Sequence, residues 1–389
     1  MTGPATAGAE LLAAAVDADS AYFESEGHVL LGRGVHRAWE VPQADLRAGW
    51  DEAGAVLREL ARRGRPTVAF AALPFERDRP ARVHVPASLS RRDPAGGLSG
   101  PPPGPVPAGT GADGLDVGRW EIRLAQTPQA WCDAVRAVGT RIAAGEAAKV
   151  VLARQIAVHR GVPFAPAPVL HRLRARFPAS HLFSVHGFVG ASPELLVGRS
   201  GTELFAAPMA GTTARSSDPV VDGLARARLL ESAKLREEHR PLRELVLATL
   251  AEHCTGLSVP PEPVVVSTPT VHHLASPVRG RLRPDAPGLL AIAADLHPTP
   301  AVCGLPRKAA YDMVRELEER GRGLYGGAVG WVDAAGDGRF AVAIRCVELD
   351  GERAVVHVGN GIVAGSDPAD ELAETRAKMQ GLLEAVVVP

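Results

Sequence analysis

Two segments of the chain carry acidic side chains at spacings that suit a helix. In "DELAETRAKMQGLLEAV", Glu371, Glu374 and Lys378 lie at i, i+3 and i+7, so they would share one stripe of a helix. A second helical segment, "KLREEHR", supplies Glu237 and Glu238. Hard divalent cations such as Mg²⁺ bind a few carboxylates together with ligand oxygens and water. A magnesium site built from the two segments is therefore one hypothesis, and two charged faces turned to solvent are the alternative.

Two cationic residues lie in segments that alternate like strands. Arg345, in "FAVAIRCVEL", would share its strand face with Ala341, Ala343 and Val347. An arginine among apolar side chains is costly unless its guanidinium meets a carboxylate, which either the protein or a ligand could provide. Lys149 begins "KVVLARQIAV", where a lysine is either a solvated strand end or a buried base. Both residues are candidates for binding or catalysis, and both alternatives stay open.

Glycines and histidines add to the candidate site. Gly359 and Gly361 lie shortly before the C-terminal helix, and glycine lets backbone N–H groups approach an anion closely. Their spacing does not fit a dinucleotide-binding fingerprint. Adjacent His272 and His273 would point to opposite faces of an extended segment, so they cannot both bind one metal. Together with the carboxylates and cations, these residues suit an anionic small molecule held through Mg²⁺.

Several elements must position these side chains. We predict a helix in "TPQAWCDAVRAVGTRIAAGEAAK" capped by Thr127, and a long charged helix at 222–254 that Pro241 kinks or splits. Two hairpins are indicated by "AAGDG" and "LDGE", and the last helix should begin with Pro368 in its first position. Helices interleave with hairpin-linked strands rather than forming serial strand–helix–strand units. This pattern favours an α+β fold with large antiparallel sheets.

Composition excludes several classes of protein. The 389 residues carry 43 basic and 44 acidic side chains, so no overall field attracts nucleic acid or a membrane surface. The four cysteines form no C-x-x-C pair, which indicates reduced thiols and no zinc cluster. The N-terminus lacks a basic region before its apolar run, and no apolar run reaches the roughly 20 residues of a membrane span. We expect a cytoplasmic protein without nucleic-acid or membrane partners.

The order of nine short blocks resembles a known family. The blocks are "KVVLAR", "GASPELLV", "PMAGT", "KLREEH", "VHHLASPVRG", "LHPTPAVCGLPRKAA", "YGGAVGW", "FAVAIRC" and "GNGIVAGSDPADELAET". They resemble the chorismate-utilising enzymes, which include isochorismate synthase, salicylate synthase and component I of anthranilate and aminodeoxychorismate synthases. The resemblance covers about residues 120–387. It implies an α+β fold like that of anthranilate synthase component I, with two large antiparallel sheets, helices outside and the active site between the sheets.

The resemblance also implies a division of the chain. Residues 1–115 would be the N-terminal part of the fold, ending in a Pro/Gly-rich loop at 91–114. Residues 116–389 would be the catalytic region that binds chorismate. Within it, Lys149 matches the base that activates the attacking water, and Glu194 matches the acid that protonates the departing hydroxyl. Mg²⁺ is the implied cofactor, with Glu238 and Glu374 as its ligands.

Further roles follow from the same matches. Glu371 and Glu237 would assist the metal ligands, and the unexpected Pro241 affects where Glu238 points. Arg345 would bind a substrate carboxylate and His273 would lie near the substrate ring. The remaining residues implied to bind substrate are Gly211, Thr212, Ala301, Gly359, Gly361 and Lys378.

Two positions bear on which family member this is. Aminodeoxychorismate synthases carry a nucleophilic lysine where "PMAGT" has Ala210. Ammonia users and salicylate synthases carry threonine where Ala301 stands, whereas isochorismate synthases have alanine. The resemblance therefore implies an isomerase, a Mg²⁺-dependent isochorismate synthase, that adds water at C2 of chorismate and loses the C4 hydroxyl. We expect a monomer without a glutaminase subunit.

Other functions remain open at this point. Within the family, the alternatives are a salicylate synthase and an ammonia-using synthase of the aminodeoxyisochorismate or anthranilate type. From another class, the alternative is a regulator that binds chorismate without turning it over. The sequence does not distinguish siderophore, menaquinone or salicylate biosynthesis as the pathway that uses the product.

Overall fold

The computed structural model describes residues 19–65, 67–92, 98–100, 120–267 and 271–387. Within helices and strands, the side chains of residues 48–51, 98, 234 and 238 lie outside this description. Most of the predicted loop at 91–114 also lies outside it. The N-terminal elements are β1 Ala21–Ser25, β2 His28–Val41, a 3₁₀ turn Gln43–Asp45, α1 Leu46–Arg62, β3 Val68–Leu73, β4 Ala81–Arg92 and β5 Leu98–Ser99.

The middle of the chain alternates helices with groups of strands. These elements are β6 Glu121–Leu124, α2 Pro128–Ala143, β7 Lys149–His159, α3 Pro166–Arg176, β8 His181–Val185, β9 Phe188–Ser192, β10 Leu195–Ser200, β11 Glu203–Ala206, β12 Met209–Ala214, α4 Pro219–Glu231 and α5 Ala233–His253. The predicted cap of α2 is confirmed, because Thr127 Oγ1 accepts a hydrogen bond from the Ala130 N–H at 3.1 Å.

The C-terminal elements complete the fold. They are β13 Cys254–Ser258, β14 Val264–Ser267, β15 Val271–Ala275, β16 Val278–Leu282, α6 Leu289–Leu296, β17 Gly304–Leu305, α7 Arg307–Leu317, β18 Ala328–Asp333, β19 Gly338–Val342, β20 Cys346–Asp350, β21 Arg353–Val363 and α8 Pro368–Val386. Both predicted hairpins are confirmed, as β18–β19 and β20–β21. Asp367 caps α8 and Pro368 is its first residue, as predicted.

The long charged helix is divided at a different residue from the one predicted. It breaks at Ser232, whose backbone is extended and whose Oγ accepts a hydrogen bond from the Leu235 N–H at 3.3 Å. The split at Pro241 is wrong, since α5 continues through that residue. A serine cap ends one helix and begins the next, which satisfies a backbone donor there.

The fold class is α+β, and its strands are antiparallel throughout the described pairings. Eighteen strands form one hydrogen-bonded sheet, and β12, β15 and β14 form a separate three-stranded sheet. The large sheet runs β13–β16–β11–β10–β19–β18–β3–β4–β2–β1–β8–β9–β20–β21–β7, with β5 beside β4 and both β6 and β17 beside β7. The two large sheets that the resemblance implies are therefore two layers of one continuous hydrogen-bonded sheet.

The 14-residue strand β2 joins the two layers. Its early residues Val29 and Leu31 belong to a buried cluster with α3 and α8, whereas Val41 at its end belongs to a cluster with α1, α5 and α6. A third cluster lies between the layers, where Phe70 of β3 and Phe183 of β8 both contribute. The helices therefore cover the outer faces, and the layers pack on each other inside.

The N-terminal part is built into the same sheet as the rest of the chain. β1 pairs with β8 and β3 pairs with β18, so strands from before and after residue 115 alternate in that sheet. Within the part of the chain that the structure describes, none of the helices is both long and apolar enough to cross a membrane.

Candidate active site

A cavity of about 590 Å³ brings together residues from distant parts of the chain. It lies where β7, β21, β12, β15, α8 and the loop before β17 meet. The predicted site residues that line it are Lys149, Glu194, Gly211, Thr212, His273, Ala301, Arg345, Gly359, Gly361, Glu371, Glu374 and Lys378. Of the other two predicted site residues, Glu237 does not line the cavity, and the side chain of Glu238 lies outside the described residues.

Lys149 is positioned by its strand and by a glycine on the neighbouring strand. β7 and β21 pair with Lys149 opposite Val363 and Val151 opposite Gly361. A Cβ atom on Gly361 would lie 2.5 Å from Cε of Lys149, which is closer than two carbons can approach. The lysine side chain therefore occupies the space that the glycine leaves empty, and any side chain at 361 would displace it.

Glu194 provides a buried carboxyl at the turn between β9 and β10. It is 6% exposed, and burial raises the pKa of this carboxyl from 4.5 to about 8. The backbone N–H of Met209 and the charge of Lys149 both oppose that rise, but burial is the larger effect. The carboxyl therefore keeps its proton at neutral pH, which is the state a general acid requires.

Arg345 lies in a break between strands, not on a strand as predicted. β19 ends at Val342 and β20 begins at Cys346, and Arg345 has a left-handed φ of 52°. The backbone turns there, so Arg345 does not share a strand face with Ala341, Ala343 and Val347 as predicted. Its guanidinium lies 5.5 Å from the ring centre of Phe177.

The Arg345 guanidinium has no counter-charge in the protein among the residues that the structure describes. No hydrogen bond or ion pair joins it to a described residue, and burial lowers its pKa while the nearby Tyr325 hydroxyl acts to raise it. Arg345 is half-buried, and a guanidinium that loses part of its hydration without gaining a carboxylate partner is costly. An anion in the cavity would supply the missing partner, which favours the ligand over the structural alternative.

The small sheet contributes a second wall. Thr212 on β12 lies opposite His273 on β15, and its Oγ1 is 2.9 Å from His273 Nδ1. Burial, with help from Arg345, lowers the pKa of His273 to about 4, so the ring is neutral. His272 points the other way, towards Ser267 and Asp222, as the alternation predicted.

A polar network holds the first turns of α8 against β21. Lys378 Nζ donates to Asn360 Oδ1 at 2.7 Å and pairs with Glu374 at 2.8 Å. Glu371 accepts hydrogen bonds from Ser366 Oγ at 2.8 Å and from Asn360 Nδ2 at 3.0 Å. Both glutamates are thereby oriented along one rim of the cavity.

The carboxylates at this rim suit a hard cation in their chemistry. Glu371 and Glu374 offer oxygen donors, and Mg²⁺ needs only one or two carboxylates beside water and ligand oxygens. The side chain of Glu238 lies outside the described residues. Within the described side chains, no three His, Cys, Asp or Glu are grouped closely enough to form a metal site by themselves.

Glu237, predicted to assist the metal ligands, lies away from the cavity. Its side chain is 67% exposed and pairs with Arg240 at 2.8 Å on the outside of α5. Glu237 therefore faces solvent and does not line the cavity.

The loop "HPTPAVCGLP" forms the wall that carries Ala301. Its end, β17, pairs with the beginning of β7, so Gly304 lies opposite Val150 and Leu305 opposite Lys149. His297 is 2% exposed and its Nε2 lies 3.0 Å from the Pro74 carbonyl oxygen, outside the cavity. The loop thus fixes the Ala301 methyl beside the strand that bears Lys149.

Sequence reasoning missed two aromatic residues of the cavity. Tyr325 and His357 stack with their ring centres 5.2 Å apart and their planes 16° apart. Burial lowers the pKa of His357 to about 3, so this ring is also neutral. The alternation of β21 could have found His357, because it shares a strand face with Gly359 and Gly361.

Comparison with known proteins gives a consistent result. The sequence profile of the chorismate binding enzymes matches residues 119–387. The chain is 34% identical over 386 residues to the isochorismate synthase DhbC of Bacillus subtilis, covering 95% of this chain and 94% of the relative.

Two solved structures share the fold. The menaquinone-specific isochorismate synthase MenF of Escherichia coli superposes with a TM-score of 0.82 at 23% identity, covering 97% of this chain and 91% of that one. Component I of anthranilate synthase from Streptococcus pneumoniae superposes with a TM-score of 0.71 at 21% identity, covering 93% of this chain and 89% of that one.

Proposed function

Because the chain belongs to the family of chorismate-binding enzymes, we propose that it is an isochorismate synthase. In this reaction a water oxygen bonds to C2 of chorismate, the ring double bonds shift, and the C4–O bond breaks. Lys149 takes a proton from the attacking water, and Glu194 gives its proton to the departing hydroxyl, which leaves as water. One water enters and one leaves, so the product is an isomer of the substrate that keeps its enolpyruvyl ether.

The burial of Glu194 in the same cavity as Lys149 is the observation that carries this proposal. A pKa of about 8 keeps the carboxyl protonated at neutral pH, in the same cavity as Lys149. Holding a ligand needs neither a buried acid nor a lysine fitted against a glycine. An acid and a base at one site are what the exchange of hydroxyl groups needs. This pairing favours an enzyme over a binding protein that leaves chorismate unchanged.

The two carboxylates of chorismate have separate partners in this proposal. Arg345 would bind one of them, since its guanidinium has no described protein counter-charge. Gly359 and Gly361 line the same cavity, where their backbone groups would lie near the substrate. Glu374 and Glu238 would hold Mg²⁺, with Glu371 orienting the rim. When bound, the cation would neutralise the other substrate carboxylate.

Two small residues support water addition over the other reactions of the family. Ala210 lines the cavity where a nucleophilic lysine would otherwise be needed for the aminodeoxychorismate reaction. Ala301 presents a methyl group to the same cavity, so no hydroxyl there can orient ring atoms for pyruvate loss. The proposed product is therefore isochorismate, without release of pyruvate.

Product analysis tests the proposal. Purified protein is incubated with chorismate and Mg²⁺ in ammonia-free buffer, and the products are separated by chromatography. Isochorismate as the product supports the proposal. Salicylate with pyruvate, or turnover only when ammonia is added, would assign another reaction of the family. Binding of chorismate without turnover would assign the regulator.

A further inference from the structure

One edge of β7 is paired by two short strands that do not meet. β17 pairs at Lys149 and Val150, and the ladder continues to the Val151 N–H, which donates to the Cys303 carbonyl at 2.8 Å. β6 pairs with β7 from Ile156 onwards, and its ladder continues to the Gln155 carbonyl, which accepts from the Ala125 N–H at 3.2 Å. Between them, the carbonyl of Val151 and the N–H of Ala153 face no neighbouring strand. Buried backbone groups must find partners, so this gap needs other atoms to fill it.

Arg322 and Glu318 fill the gap with their side chains. Arg322 Nη2 donates to the Val151 carbonyl at 2.6 Å, and Glu318 Oε1 accepts from the Ala153 N–H at 2.8 Å. The two side chains also pair with each other, with Nε to Oε2 at 2.8 Å and a second contact from Nη2 to Oε1. They are 1% and 8% exposed, respectively. Together they take the place that two more strand residues would occupy.

The same guanidinium also holds the loop on the other side. Arg322 Nη1 donates to the Val302 carbonyl at 2.7 Å. Val302 and its neighbour Ala301 both line the catalytic cavity, and so does Val151. One planar side chain thus connects the wall that carries Ala301 to the strand that carries Lys149.

We propose that Arg322, oriented by Glu318, is a positioning residue that fixes the Ala301 wall relative to Lys149. The inference rests on the proposed function, since it concerns how the base and the ring-facing wall are aligned for that reaction. Arg322 does not line the catalytic cavity. It acts by setting the distance between two backbone segments whose side chains do, and a misplacement of about 1 Å at a reacting centre costs about 100-fold in rate.

Lysine cannot replace this arginine. The guanidinium fork presents Nη1 and Nη2 to two carbonyls while Nε still binds Glu318, whereas one ammonium nitrogen cannot reach all three places in the same plane. A cavity of about 340 Å³ is lined by both Arg322 and Glu318, so there is room beside the pair for a shorter hydrated side chain. We therefore expect Arg322→Lys to fold and to leave the loop loosely held.

The test measures kcat and KM for chorismate in two variants. Arg322→Lys should lower kcat by about 10- to 100-fold and change KM by less than about 3-fold, because alignment is lost while the carboxylate-binding groups stay. Glu318→Gln keeps an oxygen for the Ala153 N–H but removes the charge that orients Arg322. It should therefore also lower kcat with little change in KM, and the fall in kcat should be smaller than for Arg322→Lys. It also provides a second test if the first variant is poorly folded.

Two controls separate alignment from general damage. Arg315→Lys changes an arginine that lines the same 340 Å³ cavity but pairs with Asp78 at 3.2 Å, and it should leave kcat within about 2-fold of wild type. Leu170→Ala removes a fully buried side chain of α3 from a cluster that holds no residue of the Ala301 loop, so it lowers stability without altering the wall. It should lower Tm and leave kcat near wild type at temperatures where the protein is folded.

The outcomes distinguish this inference from the proposed function. The product that the wild-type enzyme forms tests the proposed function. The ratio of variant to wild-type kcat tests the positioning role of Arg322 and Glu318. Folded variants with wild-type kcat would overturn the positioning role, as would a rise in KM with kcat unchanged. A fall in kcat matched by Leu170→Ala at equal loss of Tm would also overturn it, because instability alone would then explain the effect.

Discussion

Replacing Glu194 by glutamine should stabilise the protein at neutral pH while it stops catalysis. The amide has nearly the same shape as the protonated carboxyl, but it can never ionise and has no proton to give. We expect kcat to fall at least about 100-fold, the usual contribution of a general acid. A gain in stability together with a loss of rate would identify a group whose burial serves the reaction at a cost in stability.

The size of the gain follows from the pKa of Glu194. The folded state keeps this proton up to about pH 8, whereas the ordinary pKa of such a carboxyl is 4.5. The unfolded chain therefore releases the proton first, so stability is undiminished below about pH 4.5 and is lost as the pH rises towards 8. Linkage gives a cost of about 1 kcal/mol at pH 5 and about 3 kcal/mol at pH 7.

Thermal unfolding across pH measures this difference. With an unfolding entropy of about 2.1 cal/mol/K per residue, the gain at pH 7 corresponds to a Tm about 4 °C above wild type. At pH 5 the two proteins should differ by only about 1 °C. Glu203→Gln is the matched control, since Glu203 is an exposed carboxylate paired with Arg279, and its effect on stability should stay below about 1 kcal/mol. If the difference in Tm between Glu194→Gln and wild type does not grow between pH 5 and 7, burial does not raise the pKa of Glu194.

Four further predictions concern the cavity. Lys149→Ala should abolish turnover and leave chorismate binding largely intact by calorimetry, and wild-type-like turnover would refute its role as the base. Ala301→Thr should introduce some pyruvate release, detected by coupling to lactate dehydrogenase, and an unchanged product would show that the methyl does not decide the outcome. Gly361→Ala places a Cβ 2.5 Å from Cε of Lys149, so kcat should fall at least about 10-fold, whereas Gly139→Ala, with no atom within 4 Å, should keep full activity. Chelation of Mg²⁺ should abolish turnover and restored Mg²⁺ should recover it, while Glu374→Gln should raise the Mg²⁺ concentration needed for half-maximal rate; activity unchanged by chelator would contradict the metal assignment.

Local patterns in the sequence predicted most of the elements that hold the cavity. Thr127, Asp367 and Pro368 mark helix ends through capping chemistry that needs only neighbouring residues, and the structure has both ends where expected. The turn signals of the last two hairpins work in the same way. Such features are readable because their physical cause lies within a few residues.

Features decided by distant contacts could not be read in the same way. Arg345 sits in an alternating run of residues, and only its left-handed backbone in the folded protein takes it off the strand. Glu237 and Glu238 are chemically equal in the sequence, and the packing of α5 decides that Glu237 faces solvent. Arg322, in the charged run "EERGRG", resembles an exposed loop residue, yet it is 1% exposed because three distant segments meet around it.

The resemblance of short blocks supplied what local patterns could not. It placed Glu194 among the site residues, although a single glutamate in "SPELL" has no distinctive spacing of its own. The structure adds the environment, a burial that raises its pKa to about 8. It also adds Tyr325 and His357, whose stacked rings lie in the cavity and were not identified from the sequence.

In the proposed reaction water is the nucleophile, Lys149 is the base and Glu194 is the acid. The most direct measurement is turnover of chorismate in water labelled with a heavy oxygen isotope, with the product analysed by mass spectrometry. We expect isochorismate that carries one labelled oxygen on the ring at C2. Isochorismate without the label, or salicylate and pyruvate in its place, would contradict it.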